Sequence, residues 1–387
     1  MQVSRFFLIT ISVLLFSGCK KEDTSASATE DNCAITRSLH DGDVIPGQYI
    51  ISYKTGVETT SAASTQITRR SRDVLQENNI SSSAMQSAFT GELSGFVARL
   101  TEPEAEALSA DPAIKTVEPD RFVALSTCFT VVAPTLITWN VNKVGYGNGI
   151  GKTAWIVDTG IDFDHPDLTV DVARSKSFIS GQTSADDENG HGTHVAGIIG
   201  AKNNSIGVLG VASGATLVSL RVLDKDGTGS LSSIIEALSY VNANAKAGDV
   251  VNMSIGEDQV SETLDQQVKV TAAKGIYITI AAGNDSKSSN LFSPGRVNAK
   301  NVYTVSAVDS LDNFAGFSNY GNDVVDYAAP GVRILSTYKD GLYAKMSGTS
   351  MAAPHVAGLL LLEGSALHYS TTAKNDPDGT PDLIVYK

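Results

Sequence analysis

From residue 127 onward, predominantly apolar runs rich in β-branched residues alternate with stretches of helical periodicity. The runs lie at 153–157, 216–222, 250–255, 276–281 and 302–305, and the helical stretches at 230–245 and 264–273. A strand that is apolar on both faces must be covered on both, and such strands separated by helices pair in parallel. The expected fold is therefore α/β, a parallel sheet with helices on both faces, whose reactive groups collect at the carboxyl ends of the strands. With 387 residues, 42% hydrophobic and 18% charged, the chain is long enough for this large unit and one smaller one. It contains no internal repeat.

The smaller unit is expected ahead of it. Residues 49–53 and 96–100 read as strands, 67–79 as a helix, and Thr101 to Glu104 as a capping box opening a second helix. Asp111-Pro112 stops that helix, and 114–123 returns to strand, giving β, α, β, α, β in about 80 residues, a length that folds alone only marginally. Further forward, one positive charge precedes the run FFLITISVLLF at 6–16, too short for a bilayer-spanning helix and of the length of a signal-peptide core. The small residues Ser17-Gly18 before Cys19 resemble a bacterial lipobox, whose cysteine is lipidated and becomes the new N-terminus. The alternative is an ordinary secretory signal with an incidental cysteine. Residues 1–18 then form a signal peptide and 19–42 a polar tether. An exported protein, held at a bacterial membrane (periplasmic or cell surface) by its lipid or otherwise secreted, is the expectation.

Lys and Arg number 29 against 42 Asp and Glu, a net charge of −13, and neither the first 126 residues nor the remainder is basic. Nucleic acid is excluded as a partner on that ground. Three cysteines are too few for a disulfide scaffold.

Four segments of the large unit carry chemistry. The strand at 153–157 runs into Asp158-Thr159-Gly160-Ile161-Asp162, and a carboxylate shielded at a strand end suits the fixing of a histidine tautomer. In Gly190-His191-Gly192-Thr193-His194, two glycines let the backbone turn closely around His191. A zinc pair is disfavoured, since zinc-protease histidines stand four apart with a Glu after the first. His194 is therefore read as structural. Ala281-Ala282-Gly283-Asn284 ends an apolar strand on an amide able to meet an oxyanion. Finally, Gly348-Thr349-Ser350-Met351 opens an apolar helix, exposing the Ser350 hydroxyl where backbone N–H and dipole favour negative charge. Taken singly, each segment is also compatible with a turn or a cap.

Together, in the order Asp158, His191, Asn284, Ser350, the motifs DTGID, HGTHVAG, AAGN and GTSMAAPHVAG resemble those of subtilisin-like serine proteases. The resemblance implies Ser350 as nucleophile, His191 as proton carrier, Asp158 as its orienting partner and Asn284 in the oxyanion hole, with no cofactor for catalysis. It also implies that Gly227, Thr228 and Gly229 on one side, and Ser254, Ile255 and Gly256 on the other, clamp an extended protein or peptide substrate. Residues 43–126, through GFVARLTEPEAEALSADPAIKTVEPDRFVAL, resemble the ferredoxin-like inhibitor propeptide that precedes such enzymes, leaving 127–387 as the catalytic domain of a self-processing zymogen, with cleavage near residues 125–127. Asp326, with the carbonyls of Lys300 and Val302, aligns with a calcium site of proteinase K-like relatives, although a surface Asp accepting hydrogen bonds is an equal reading. Cys33 and Cys128 flank the propeptide-like segment and form either a bridge or two free thiols. Family members commonly continue with further helices where this chain has only the turn-rich residues 375–382, so the last layer is either short or built differently. A monomer is expected. An inert subtilisin-like binding protein and a serine esterase are the competing classes, disfavoured by the complete set of catalytic positions and by the motif order.

Overall fold

The structure, a computed structural model, describes residues 42–56, 63–125, 128–131, 137–256 and 259–387, with the backbone alone at 128–131. The expected signal peptide, Cys19, the tether up to residue 41 and Cys33 lie outside the described residues.

The N-terminal segment begins with β1 (Val44–Tyr53) and α1 (Ala63–Glu77), followed by β2 (Met85–Phe89), β3 (Gly95–Arg99), α2 (Glu102–Ser109) and β4 (Ile114–Ala124). The strands form an antiparallel sheet in the order β4-β1-β3-β2. Helix α1 buries Ile67, Ser71, Val74 and Leu75, one stripe at helical spacing, against Ile51, Tyr53 and Phe96 of the sheet. Helix α2 starts where the capping box predicts, with Thr101 N–H donating to Glu104 Oε2 at 2.7 Å. The sequence reading missed β2. Its MQSAF is mostly half-buried and its register with β3 slips between Met85 and Ser87, so the alternation that marks a strand is absent at this sheet edge. With β2 included, the order is β, α, β, β, α, β, the ferredoxin-like arrangement.

The large unit is built on a nine-stranded sheet. Its continuous parallel part runs, in spatial order, through Val325–Pro330, Val302–Val308, Tyr277–Ala281, Val250–Met253, Thr153–Asp158 and Thr216–Arg221. Side chains alternate between two cores. Ala154 and Ile156 join the His191–Gly200 and Thr349–Glu363 helices, while Trp155 and Val157 join the Leu231–Asn244 and Glu262–Ala273 helices. From Thr153–Asp158 the chain adds its next long strand on one side, Thr216–Arg221, and the following one on the other, Val250–Met253. Ligands of open α/β sheets sit outside the carboxyl ends at such a reversal, which is where Asp158 lies.

The C-terminal residues build the last layer from strands instead of helices. Leu383–Tyr386 pairs in parallel with the main sheet at Ala328↔Ile384, and His368–Thr372 pairs antiparallel with it at the outer edge. The turn-rich residues between them are tied back where Ser306 Oγ donates to the buried Asp382 carboxylate.

The N-terminal sheet lies across the Leu231–Asn244 and Glu262–Ala273 helices, its Ile50, Phe89, Leu93 and Val123 sharing one apolar cluster with Leu231, Ile234 and Leu264. Two carboxylates of β4 meet the starts of those helices. Asp120 accepts from Ser232 N–H at 3.1 Å, and Glu118 accepts from Ser261 Oγ at 3.0 Å. A third carboxylate comes from the helix side: Glu236 accepts a short hydrogen bond from Ser87 of β2 and has Lys176 and Asp120 as its charged neighbours. Burial pushes the Glu236 carboxyl up to about 7, well above the ordinary carboxylate range, and raises Glu118 and Asp120 as well. An acid whose folded pKa is raised contributes most below its unfolded value and loses that contribution as pH rises through the folded one. In a Ser350→Ala background, the urea midpoint of the intact chain should therefore fall as pH rises from 4.5 towards 7, by at most about 1.4 kcal/mol per pH unit for one proton. Glu236→Gln should flatten the part of that slope nearest pH 7; an unchanged slope would refute the assignment.

Candidate active site

Asp158 is the last residue of its strand and His191 the first of its helix, and both side chains are fully buried. Asp158 Oδ1 lies 2.7 Å from His191 Nδ1 and accepts from Thr159 N–H at 2.7 Å. Asp158 Oδ2 and His191 Nε2 have no hydrogen-bond partner among the described residues. The turn before His191 needs its glycines. At Gly190, φ is 112° and a Cβ would fall 2.2 Å from the Tyr338 ring; at Gly192 it would fall 2.1 Å from Gly160 O.

The two segments are bound together by Asp187, a buried carboxylate that the sequence reading did not single out. It accepts from the N–H groups of Asn189, Gly190 and Thr193 at 2.9, 2.9 and 3.0 Å. It also accepts from Thr193 Oγ1 at 2.6 Å and from Thr159 Oγ1 at 2.9 Å. Thr159 Oγ1 in turn accepts from Gly192 N–H at 2.9 Å, so the strand end bearing Asp158 and the helix start bearing His191 are fixed as one piece.

Ser350 opens the Thr349–Glu363 helix and is 4% exposed. Its hydroxyl donates to Ser254 O at 3.1 Å, and Ser254 Oγ donates to Ser350 O at 2.7 Å. Asn284 follows the Tyr277–Ala281 strand, and its Oδ1 accepts from Thr349 N–H at 2.8 Å and Thr349 Oγ1 at 3.0 Å. Thr349 thereby sets which end of the amide is turned away from the helix: Nδ2, the donor. Gly283 N–H completes the link to Thr349 Oγ1 at 3.1 Å. Neither Thr349 nor Asp187 stands out in sequence, because a hydroxyl or carboxylate inside a motif gives no sign of what it will bond.

His194 is held as a neutral structural residue. Its Nε2 lies 3.0 Å from Ile334 O and 3.1 Å from Ala344 O, and burial lowers it to about 3.

One edge of the expected clamp, residues 227–230, is paired with the chain itself. The end of β4 runs antiparallel to Thr228–Ser230, pairing Phe122↔Ser230, Val123↔Gly229 and Ala124↔Thr228, and Leu125 N–H donates to Gly227 O at 3.0 Å. Gly227 and Leu125 are in such contact that a Cβ on the glycine would lie 3.1 Å from the leucine side chain. Ser254 is joined to Ser350, while Ile255 and Gly256 follow it without a ladder pairing to β4 among the described residues. Beyond 126–127, β5 (Cys128–Val131) pairs antiparallel with Leu342–Ser347, the strand leading to Ser350.

Asp326 stands apart from these groups, beside the Val302–Val308 strand, where its Oδ2 accepts from Thr304 N–H at 2.8 Å. Its side chain reaches solvent, yet the protein atoms around it push its carboxyl up to about 6. No group of three or more His, Cys, Asp or Glu able to hold a metal occurs among the described residues.

Residues 151–375 match the subtilase family, and residues 48–126 match peptidase inhibitor I9. The chain is 32% identical over 417 aligned residues to an extracellular serine proteinase of Thermus sp. (strain Rt41A), covering 98% of each chain. It is 40% identical over 270 residues to an alkaline protease of Alkalihalobacillus alcalophilus, covering 68% of this chain and 67% of that one. Among solved structures, the crystal structure of a cold adapted subtilisin-like serine proteinase aligns with a TM-score of 0.57 and 34% identity, over 65% of this chain and 98% of that one. The chain belongs to the subtilase family, with an I9 inhibitor segment ahead of its protease part.

Proposed function

We propose that this exported serine endopeptidase cleaves peptide bonds with Ser350 as nucleophile, His191 as base and acid, Asp158 as the partner of His191, and Asn284 with the Ser350 N–H as oxyanion donors. The observation that carries this reading is the 2.7 Å Asp158–His191 hydrogen bond, in a unit whose Thr228–Ser230 strand is paired with an extended strand of the chain itself. Ser350 Oγ, released from Ser254 O, attacks the substrate carbonyl carbon while its proton passes to His191 Nε2. Asp158 stabilises the imidazolium through Nδ1–H, and Asn284 Nδ2 with Ser350 N–H binds the oxyanion. Collapse to the acyl-enzyme expels the amine, which takes the proton from His191; water then repeats the sequence and frees Ser350. No catalytic cofactor is required.

The zymogen reading assigns residues 1–18 to a signal peptide, 19–42 to a tether, 43–126 to an inhibitory propeptide and 127–387 to the catalytic domain. The strand pairing of β4 supports it, since an antiparallel strand added to Thr228–Ser230 uses main-chain bonds and tolerates many sequences, as a protein or peptide substrate would. Wild type should cut itself between Leu125 and Cys128, and Ser350→Ala should remain full length and resist a serine-directed phosphonate. Processing or labelling of that variant, followed by intact mass, would overturn the assignment. Run without reductant, the processed protein also tests a Cys33–Cys128 bridge, which requires the catalytic fragment to stay joined to the leader.

Lipidation of Cys19 would hold the enzyme at a bacterial membrane while the acting groups, all from one chain, serve as a monomer. Cys19→Ser should move it from the membrane fraction to the soluble one; an unchanged distribution rejects the anchor. A structural calcium ion is proposed at Asp326 with the carbonyls of Lys300 and Val302. It is supported by the Asp326 carboxylate beside the strand start at Val302, with water completing the oxygen shell. EDTA should lower the melting temperature and added calcium restore it, whereas a melt indifferent to both removes the ion.

A further inference from the structure

Ser350 stands four residues before Pro354, the proline inside the Thr349–Glu363 helix. In a regular α-helix the Ser350 carbonyl would accept from the N–H of residue 354; proline has none, and its ring crowds the carbonyl four residues before it. A carbonyl in a buried residue that loses this donor needs another. Ser254, just beyond the Val250–Met253 strand, supplies it, donating from Oγ to Ser350 O at 2.7 Å. The Ser350 hydroxyl donates in return to Ser254 O at 3.1 Å, so one residue holds the nucleophile by its backbone and by its side chain.

Behind Ser254 the bonding continues inward. A carbonyl can only accept, so the Ser254 hydroxyl gives its proton to Ser350 O and is left to accept from Asn252 Nδ2, at 2.8 Å. That fixes the Asn252 amide, whose Oδ1 accepts from Thr279 Oγ1 at 2.9 Å; the other acceptor near that hydroxyl, Val251 O, is farther at 3.5 Å. Thr279, Asn252 and Ser254 are buried. The direction of each bond is therefore set from the carbonyl at one end. The three side chains cross from the Tyr277–Ala281 strand, through Val250–Met253, to the start of the serine helix. Asn252 and Thr279 take no part in the proton transfers of the proposed reaction.

We propose that Asn252 and Thr279 are positioning residues for the nucleophile, acting through the Ser254 hydroxyl to fix the Ser350 carbonyl that Pro354 leaves without its helical donor. Asn252 Nδ2 keeps Ser254 Oγ turned towards that carbonyl, and Thr279 keeps the amide turned towards Ser254. With its carbonyl fixed on one side and Thr349 N–H fixed on Asn284 on the other, Ser350 has its side chain alone to turn, from Ser254 O towards His191. The inference rests on the endopeptidase reading and deepens it: buried residues that no substrate touches set how well Ser350 attacks.

The test compares matured wild type and variants on one peptidyl nitroanilide. Asn252→Ala and Ser254→Ala should each lower kcat roughly tenfold with KM held within about twofold, and should slow labelling by a serine-directed phosphonate in parallel. In a Ser254→Ala background, Asn252→Ala should cost nothing further, because both act on Ser350 through one hydroxyl. Thr279→Val, close in shape and farthest from Ser350, should lower kcat about threefold, and it carries the test where an alanine variant does not mature. A lower melting temperature with kcat unchanged, a raised KM at unchanged kcat, or costs that multiply in the double variant would overturn the positioning role. In each of those cases wild-type labelling and turnover still uphold the endopeptidase. A wild type that neither reacts with the phosphonate nor cuts the nitroanilide overturns both.

Discussion

The site depends on a carboxylate that takes no part in the chemistry. Asp187 is buried, and isolating an ionised carboxyl from water is among the most costly things a fold can do. Five donors on it offset that cost, and they are drawn from both segments that must meet. Burial raises its pKa while those bonds lower it. A ring nitrogen 2.7 Å from Asp158 requires two backbones fixed to within a few tenths of an ångström, and neither the strand nor the helix supplies that precision alone. The close approach at Gly192 is part of the same constraint, since any side chain there would strike the turn that Asp187 ties down.

Thr349 plays the corresponding part on the other side of the cleft. Its hydroxyl accepts from Gly283 and donates to Asn284, locking the amide orientation, and its backbone N–H makes the same choice of Oδ1. The serine helix therefore orients a donor on a neighbouring strand end as well as carrying the nucleophile. Preorganised donors of this kind act more strongly than water because nothing need reorient as charge develops.

Much of this was legible in the sequence, and the reasons are local. Doubly buried parallel strands write their pattern as apolar runs, so Thr153–Asp158 and Tyr277–Ala281 fall where expected, and the capping box places α2. Four chemical segments could be ordered because each is short and continuous. What was hidden depends on distant partners. The edge strand Met85–Phe89 has no alternation to read: Phe89 packs with the Leu231–Asn244 helix, while Met85 and Ala88 pack in the core under α1. The C-terminal hairpin looked like turns because its strands are short and one of them is exposed throughout; a single register with Ala328 and the bond from Ser306 decide it. Asp187 and Thr349 were visible as letters, but their bonding was not.

The two strands on either side of residues 126–127 are seated unequally. Before cleavage, β4 and β5 are consecutive parts of one chain, and each raises the effective concentration of the other at its edge. Cutting removes that advantage from both. β4 still belongs to a four-stranded sheet, shares an apolar cluster with two helices and places Glu118 and Asp120 at their starts. β5 keeps only its ladder with Leu342–Ser347 among the described pairings. A strand with one edge exchanges faster than one locked into a second core. β4 is therefore held by its own sheet, an apolar cluster and two carboxylates, and β5, among the described pairings, by one ladder alone.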